Sequence, residues 1–205
     1  MTTPHHSKKT EIRCSVCGEG HLAEKVVSHD VGSLLGMSRV KVEHLPALAC
    51  TKCGVVTVQG EVLDAIAMML AALVLRRASL EAAEVRYLRR MVGDTQEEFA
   101  KRLEVDRATV NRWENATVPI TGTPAYAIRS HVFFRLRHKS SVIEAVADAF
   151  VETGPAGKRS KQSTYRIDAA TLPNPFPAGL YHCGDVQHHD GLVGPDLYDL
   201  DSSGW

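Results

Sequence analysis

The chain has 205 residues, of which 44% are hydrophobic and 23% are charged, so it has room for one ordinary domain or two small ones. The formal net charge is zero, but Arg76 to Lys139 carries 13 Lys or Arg against 8 Asp or Glu, while Asp168 onward carries 6 Asp and no Lys or Arg. No secretory signal is visible in the polar start, and the apolar run Ala65 to Leu75 is too short for the ~20 residues of a membrane helix. We therefore expect a cytoplasmic protein that does not enter a membrane.

The first stretch, residues 1–60, is predicted to be a small β-rich module. Alternating or β-branched segments at Glu24 to Val27, Arg39 to Val42 and Val55 to Val58 are typical of short strands. Residues 61–78 have apolar side chains at helical spacing and are predicted to form a linker helix between two modules.

Four of the five cysteines form two identical motifs, Cys14-Ser-Val-Cys17-Gly and Cys50-Thr-Lys-Cys53-Gly. Two cysteines at this spacing turn both thiolates toward one ion, and the glycine after them permits a left-handed turn. In a reducing cytosol such pairs favour metal binding over the alternative of disulfides or redox chemistry. Four thiolates also fill the coordination shell of a zinc ion and leave no open position, which predicts a structural Zn²⁺ rather than a catalytic one. The histidines between the pairs are alternative ligands: His21, His29 and His44.

Residues 79–152 are predicted to be consecutive helices. Ser79 is placed as an N-cap, and Asp94 or Thr95 opens the next helix. Ala125 to Val151 forms a long amphipathic segment, helical throughout or broken near Ser140, that we expect to be the seam of a homodimer. Beyond them, residues 153–205 are rich in Gly, Pro, Asp and His and are predicted to be an irregular tail, extended or disordered.

The segment from Thr95 to Glu114 has the pattern of two helices that cross steeply over a small core. Ala100 is small where the helices approach, and Asp106 is placed as the cap of the second helix. The apolar side chains of this core are Phe99, Leu103, Val105, Val110 and Trp113. A helical hairpin with a merely solvated polar face is the alternative interpretation.

The outward face of the second helix has side chains suited to base recognition in double-stranded DNA. Arginine donates two hydrogen bonds to guanine, asparagine pairs with adenine, and the threonine methyl contacts thymine. Gln96, at the start of the first helix, is expected to help fix the docking on phosphate. The predicted contacts on the second helix are Arg107, Thr109, Asn111 and Arg112.

This segment resembles the Xre/Cro-type helix-turn-helix, with its Thr-Gln, fixed Ala, turn Val and Thr-Val-x-Arg-Trp-Glu. With the upstream Cys-x-x-Cys-Gly pairs, Cys14 to Ser130 is similar to the MqsA-type (YgiT-type) antitoxins. The resemblance implies a zinc-bearing N-terminal domain that neutralises a ribonuclease toxin and an Xre-like domain that dimerises on an operator. It also implies that the four paired cysteines are zinc ligands and that Arg112 reads the operator.

The chain departs from that family at several positions. Ala108 falls where the family has a base-contacting asparagine, and Ala116 replaces a frequent glycine. Glu104 occupies a turn position usually held by glycine, where a positive φ costs a non-glycine residue about 1 kcal/mol. The tail after Gly154 has no counterpart in a short antitoxin.

Together these patterns predict an α+β protein with a zinc module, a linker helix, a helix-turn-helix domain and a tail. The leading hypothesis is an antitoxin that represses its own operon and binds a toxin, and the alternative is a regulator without a toxin partner. The third hypothesis, a metal-dependent enzyme, would use a tail cluster that we expect to be exposed or packed and that lacks ligand-pair spacing. That cluster consists of His182, Cys183, His188 and His189.

Overall fold

The computed structural model describes residues 12–140, 143 and 164–172. It confirms the α+β class, with a sheet and a cysteine cluster in the N-terminal part followed by helices. No helix within these residues is long and apolar enough to cross a membrane.

The sheet contains four antiparallel strands in the order β1, β2, β3, β4. Their bounds are Ile12–Arg13, His21–Asp30, Val40–Cys50 and Val56–Thr57. Strands β2 and β3 form a long hairpin whose turn contains a short 3₁₀ helix, Ser33–Leu35. The three segments predicted as strands all lie in or beside these strands, and β2 and β3 are longer than predicted.

A fifth strand, β5 at Tyr165–Asp168, lies within the predicted tail and pairs in parallel with Val40–Glu43 of β3. In the sequence, the alternation of apolar and polar residues in Tyr-Arg-Ile-Asp is the one local indication of this strand, and it matches the alternating burial. The strand with which it pairs is distant in sequence. Next to it, β3 has a bulge at which His44 adopts a φ of 52°. This conformation is accompanied by a contact of His44 Nδ1 with Asp168 Oδ1 at 2.9 Å.

In the described residues, five α-helices with both ends defined follow the first four strands. Their bounds are α1 Gly60–Leu75, α2 Ala82–Met91, α3 Gln96–Arg102, α4 Arg107–Glu114 and α5 Gly122–Leu136. Ser79 does not cap α2. It is buried, and Glu81 is the N-cap in a capping box with Glu84, because Leu80 first forms a β-bridge with Ile120. Helix α5 ends at Leu136, and residues 137–139 form a turn, so the predicted helical segment is interrupted before Ser140; of the residues after Ser140 up to Val151, only Ile143 is described.

The buried side chains form one hydrophobic cluster that includes residues of the sheet, α1 and the later helices. Helix α1 lies between the two parts, with buried residues on most of its circumference. Tyr87 of α2 donates its hydroxyl to the carbonyl oxygen of Ala67 at 2.6 Å, which fixes α2 against α1. The linker helix is therefore packed into a shared core, and this orients the helical half relative to the sheet.

Candidate functional site

The four paired cysteines come together at one end of the sheet. Their sulfur atoms all lie within 4.8 Å of one another, with Cys14 to Cys53 at 3.8 Å and Cys17 to Cys50 at 3.7 Å. A tetrahedron with Zn–S bonds of ~2.3 Å has sulfur-to-sulfur edges of ~3.8 Å. The tetrad is thus close enough to bind one metal ion, and its dimensions fit zinc.

Backbone groups of both knuckles point at the sulfurs, as expected around thiolates. The N–H of Gly20 donates to Cys17 Sγ, and the N–H groups of Lys52 and Cys53 donate to Cys50 Sγ, each at 3.4 Å. Gly20 has no room for a side chain, since a Cβ there would overlap Cys50 Sγ. The predicted left-handed glycines are also present, with φ of 68° at Gly18 and 72° at Gly54.

Without a cation, the thiols of the tetrad compete for ionisation. The N–H of Gly20 lowers the pKa of Cys17 to about 7. The pKa of Cys53 is raised to about 11, because the N–H of Val55 is outweighed by desolvation and the neighbouring thiols. A divalent cation at the centre would remove this conflict by favouring all four thiolates.

The histidines considered as substitute ligands are exposed and are not part of the cluster found among the described residues. His44 contacts Asp168, and the pKa of that carboxyl is lowered first by this hydrogen bond and then by the N–H of Ala170. The cysteine set alone therefore accounts for a four-coordinate site.

Helices α3 and α4 form the crossing pair that the sequence predicts. Thr95 caps α3 in a reciprocal box with Glu98, and Glu104 in the connecting turn has the positive φ expected there, 55°. Asp106 occupies the N-cap position of α4, but its side chain makes no capping hydrogen bond. Val110 is buried, whereas Trp113 is only partly buried.

The residues predicted to contact DNA on α4 are exposed or half-buried, and the amide of Gln96 donates to Glu114. Arg107, Asn111 and Arg112 are exposed on α4, and Thr109 is half-buried beside them. Arg112 Nη2 donates to Thr109 Oγ1 at 2.7 Å, and Asn111 Oδ1 accepts from Asn115 at 2.6 Å. These bonds hold the polar ends of the side chains at the surface of the helix.

A buried ion pair beneath this surface was not anticipated from the sequence. Glu114 is 3% exposed and accepts from Arg89 Nε at 2.6 Å and from Gln96 Nε2 at 2.8 Å. Arg89 also donates to the carbonyl oxygen of Asp94 at 2.7 Å. Glu114 thereby ties the last turn of α4 to α2 and to the first turn of α3. The one sequence clue is that Glu114 follows Trp113 on the inward side of α4.

The predicted tail cluster of His182, Cys183, His188 and His189 lies outside the described residues. Within those residues, the only group of metal-ligating side chains is the cysteine tetrad.

Residues 85–130 match the family model described as helix-turn-helix, which covers most of α2, both crossing helices and the first part of α5. No curated protein and no solved structure matches the chain. The match and the geometry together indicate a DNA-binding regulator, a class that is typically not enzymatic, with a metal-binding cysteine cluster.

Proposed function

We propose that the chain is a sequence-specific transcriptional regulator that binds a double-stranded DNA operator through α4 and holds one structural Zn²⁺. The observation that carries this proposal is the exposed face of α4, where Arg107, Asn111 and Arg112 project from a helix anchored by buried Glu114. A rigid helix with such side chains fits the major groove. A merely solvated face would not need its helix fixed by a buried ion pair to α2.

In this proposal the contacts divide into two kinds. Arg112 and Asn111 read base edges, and Thr109 orients the Arg112 guanidinium through the hydrogen bond seen in the free protein. Gln96 contacts the backbone of the duplex from the start of α3, where its bond to Glu114 fixes its direction. Arg107, at the first position of α4, is the remaining residue of the proposed DNA-binding surface.

The zinc would stabilise the fold by neutralising four thiolates that the chain cannot otherwise hold close together. Cys14 and Cys17 supply one side of the tetrahedron and Cys50 and Cys53 the other. The N–H groups that point at Cys17 and Cys50 favour the thiolate form that a cation requires. Four protein ligands complete the shell, so the ion has no catalytic position.

A homodimer is part of the proposal, because one recognition helix contacts too few base pairs for useful specificity. Helix α5 supports this, since Tyr126 and Phe134 are 41% and 60% exposed and lie eight positions apart along the helix. A spacing of eight residues is close to two full turns, so both rings lie on one side. We assign the seam to this side of α5.

In the narrower form of the proposal, the regulator is an MqsA-like antitoxin that represses its own operon and neutralises a toxin. The order of a cysteine module before a helix-turn-helix supports it. A regulator without a toxin partner uses the same two sites. Coexpression with the product of the adjacent gene separates them, because only an antitoxin relieves growth arrest caused by its neighbour and copurifies with it.

The DNA-binding proposal is tested by selecting ligands from a randomised pool of duplexes. The wild type should enrich a two-fold symmetric consensus, and Arg112→Ala should bind it about 1–3 kcal/mol more weakly and lose preference at one position of each half-site. Lys25→Ala, which removes an exposed cation from the sheet, is the charge-matched control and should select the wild-type consensus. An unenriched pool with the wild type, or an unchanged consensus with Arg112→Ala, contradicts the assignment.

A further inference from the structure

The C-terminal end of α5 is an exposed basic surface that the recognition helix does not explain. Arg135, Arg137, His138 and Lys139 follow one another within five positions and are all exposed. No Asp or Glu occurs in the sequence between Glu114 and Glu144. We call these four residues the basic tip.

The basic tip is not neutralised by its surroundings in the described part of the chain. Neither Arg135, Arg137 nor Lys139 forms an ion pair there. Arg137 instead lies over the exposed ring of Phe134, 4.9 Å from its centroid, and donates to His138. An aromatic ring holds a guanidinium in place without cancelling its charge, so Arg137 is oriented at the surface and still cationic.

Several contacts locate the basic tip beside the helix-turn-helix. Arg135 Nη2 donates to the carbonyl oxygen of Val92, at the end of α2, at 3.4 Å. One turn earlier on α5, His131 Nε2 lies 3.3 Å from Asp94 Oδ2, in the turn that leads into α3, and its ring packs on Phe99. The pKa of Glu98 is lowered chiefly by the N–H and hydroxyl of Thr95, and Arg135 contributes through space. Arg135, the first residue of the basic tip, therefore lies beside the start of α3.

The first turn of α3 in turn touches the last turn of α4 through Gln96 and Glu114. A chain of contacts thus runs from α4 through α3 to Arg135, and its two steps of one helix diameter each, ~10 Å, place the start of the basic tip about 20 Å from α4. A helix in a major groove ~12 Å wide has a phosphate backbone on either side, so a surface about 20 Å from the helix lies beyond the base edges. Unpaired cations at this distance are placed to meet phosphates rather than bases.

We infer that the basic tip is a second DNA-contacting surface that binds the phosphate backbone flanking each half-site. This inference rests on the proposed function, since it requires α4 to lie in the groove. The tip adds affinity without sequence preference, because phosphates are the same at every base pair. It also gives α5 a role beyond the dimer seam.

The experiment measures the salt dependence of binding to a short mixed-sequence duplex by fluorescence anisotropy. Each phosphate-contacting cation contributes about 0.9 to the slope of log K against log salt concentration, so Arg137→Gln with Lys139→Gln should lower the slope by about 1.8 per chain. Lys25→Gln with Lys41→Gln changes the net charge equally on the exposed sheet and should leave the slope unchanged. Arg137→Lys should retain the wild-type slope, because it keeps the charge.

The outcomes separate this inference from the proposal on which it depends. If both double variants lower the slope equally, the effect is one of net charge and the basic tip has no special position. If the tip variant lowers the thermal midpoint but keeps the slope, the cations only stabilise the end of α5. Either result overturns the inference and leaves recognition by α4 intact. If the wild type binds no duplex, this inference and the proposed DNA-binding function are both wrong.

Discussion

In the N-terminal sheet, the side chains proposed to bind the ion also stabilise the folded structure. In the helical half, the side chains proposed to contact DNA are different from those that stabilise the folded structure. Of the ten residues of β2, only Leu22 and Val27 are even partly buried, and the buried residues in the first part of β3 belong to the core shared with the helices, so the ligand end of the sheet depends on the ion. The α3–α4 pair instead packs on buried apolar residues and on the Arg89–Glu114 ion pair, with its polar face outside. The first region should therefore tolerate no change of its ligands, and the second should tolerate exchange of its recognition residues.

The largest expected effect is that of removing the ion or one of its ligands. Cys50→Ser, or treatment with a chelator, should cost on the order of 10 kcal/mol of folding free energy from the sheet, because metal binding and folding are linked there. Metal content by mass spectrometry and hydrogen exchange resolved by segment measure both effects. Cys183→Ser, which changes a cysteine outside the tetrad, should leave both unchanged.

Helices α2 to α5 should keep their hydrogen-exchange protection longer than the sheet when the ion is removed. If all segments lose protection together, the shared core makes the two regions one cooperative unit and the contrast fails. If the sheet stays protected with no metal bound, the structural role of the ion is wrong.

The next effect concerns the buried scaffold of the helical half. Glu114→Ala leaves Arg89 buried without its carboxylate partner, so we expect a loss of about 3–5 kcal/mol in the free energy of unfolding. Arg107→Ala, on the exposed face seven residues earlier, should change it by no more than about 0.5 kcal/mol. Urea unfolding of the metal-loaded variants, followed by circular dichroism, measures the difference. Equal losses would mean that scaffold and recognition surface are not separate.

A smaller effect is expected from a substitution where the sheet contacts the helices. Tyr165 of β5 donates its hydroxyl to buried Glu84 of α2, beside Arg77, which also pairs with Glu84 at 2.9 Å. Tyr165→Phe keeps the ring but removes the donor, so we expect a cost of about 1–3 kcal/mol. Amides of Val40–Glu43 should exchange faster, since β5 pairs with them. Arg166→Ala, an exposed neighbour in the same strand, is the control, and equal exchange in both variants would show that the hydroxyl does not anchor β5.

The smallest effect is expected at the start of α3. Thr95→Ala removes the cap and should cost about 1 kcal/mol, as measured by urea unfolding.

The hydrogen bonds from Thr95 lower the pKa of Glu98 below its ordinary value of 4.5. The folded state therefore gains stability from ionised Glu98 above that value and loses it as the pH falls through the lowered pKa. The difference between the wild type and Glu98→Gln should shrink on acidification, and a difference independent of pH would contradict this coupling.

The parts of the structure that local sequence determines could be predicted. The Cys-x-x-Cys-Gly spacing indicates a knuckle whatever surrounds it, and the apolar spacing from Phe99 to Val110 indicates two crossing helices. The left-handed turn at Glu104 follows instead from the resemblance, because the turn position that it occupies is usually held by glycine.

Features set by distant partners could not be predicted. Arg89 and Glu114 are charged and would ordinarily be exposed, and only the crossing of α2 and α4 makes them a buried pair. Ser79 has a good capping side chain, but the bridge of Leu80 to Ile120 moves the start of α2 past it. The four residues of β5 are too few for a strand pattern in a Gly- and Pro-rich stretch, so the pairing with β3 was missed.

The pairing of β5 with β3 also sets an order in which the protein can mature on the ribosome. All four cysteines lie within the first 53 residues, so the knuckles and the β2–β3 hairpin can close early in synthesis. The residues that pair across β3 and β5 are 125 positions apart, as at Val40 and Tyr165. At about 5–20 residues per second, that edge of β3 stays unpaired for roughly 6–25 s of elongation. During this interval the nascent chain presents an open strand edge, a surface for chaperones or for mispairing between neighbouring polysomal chains.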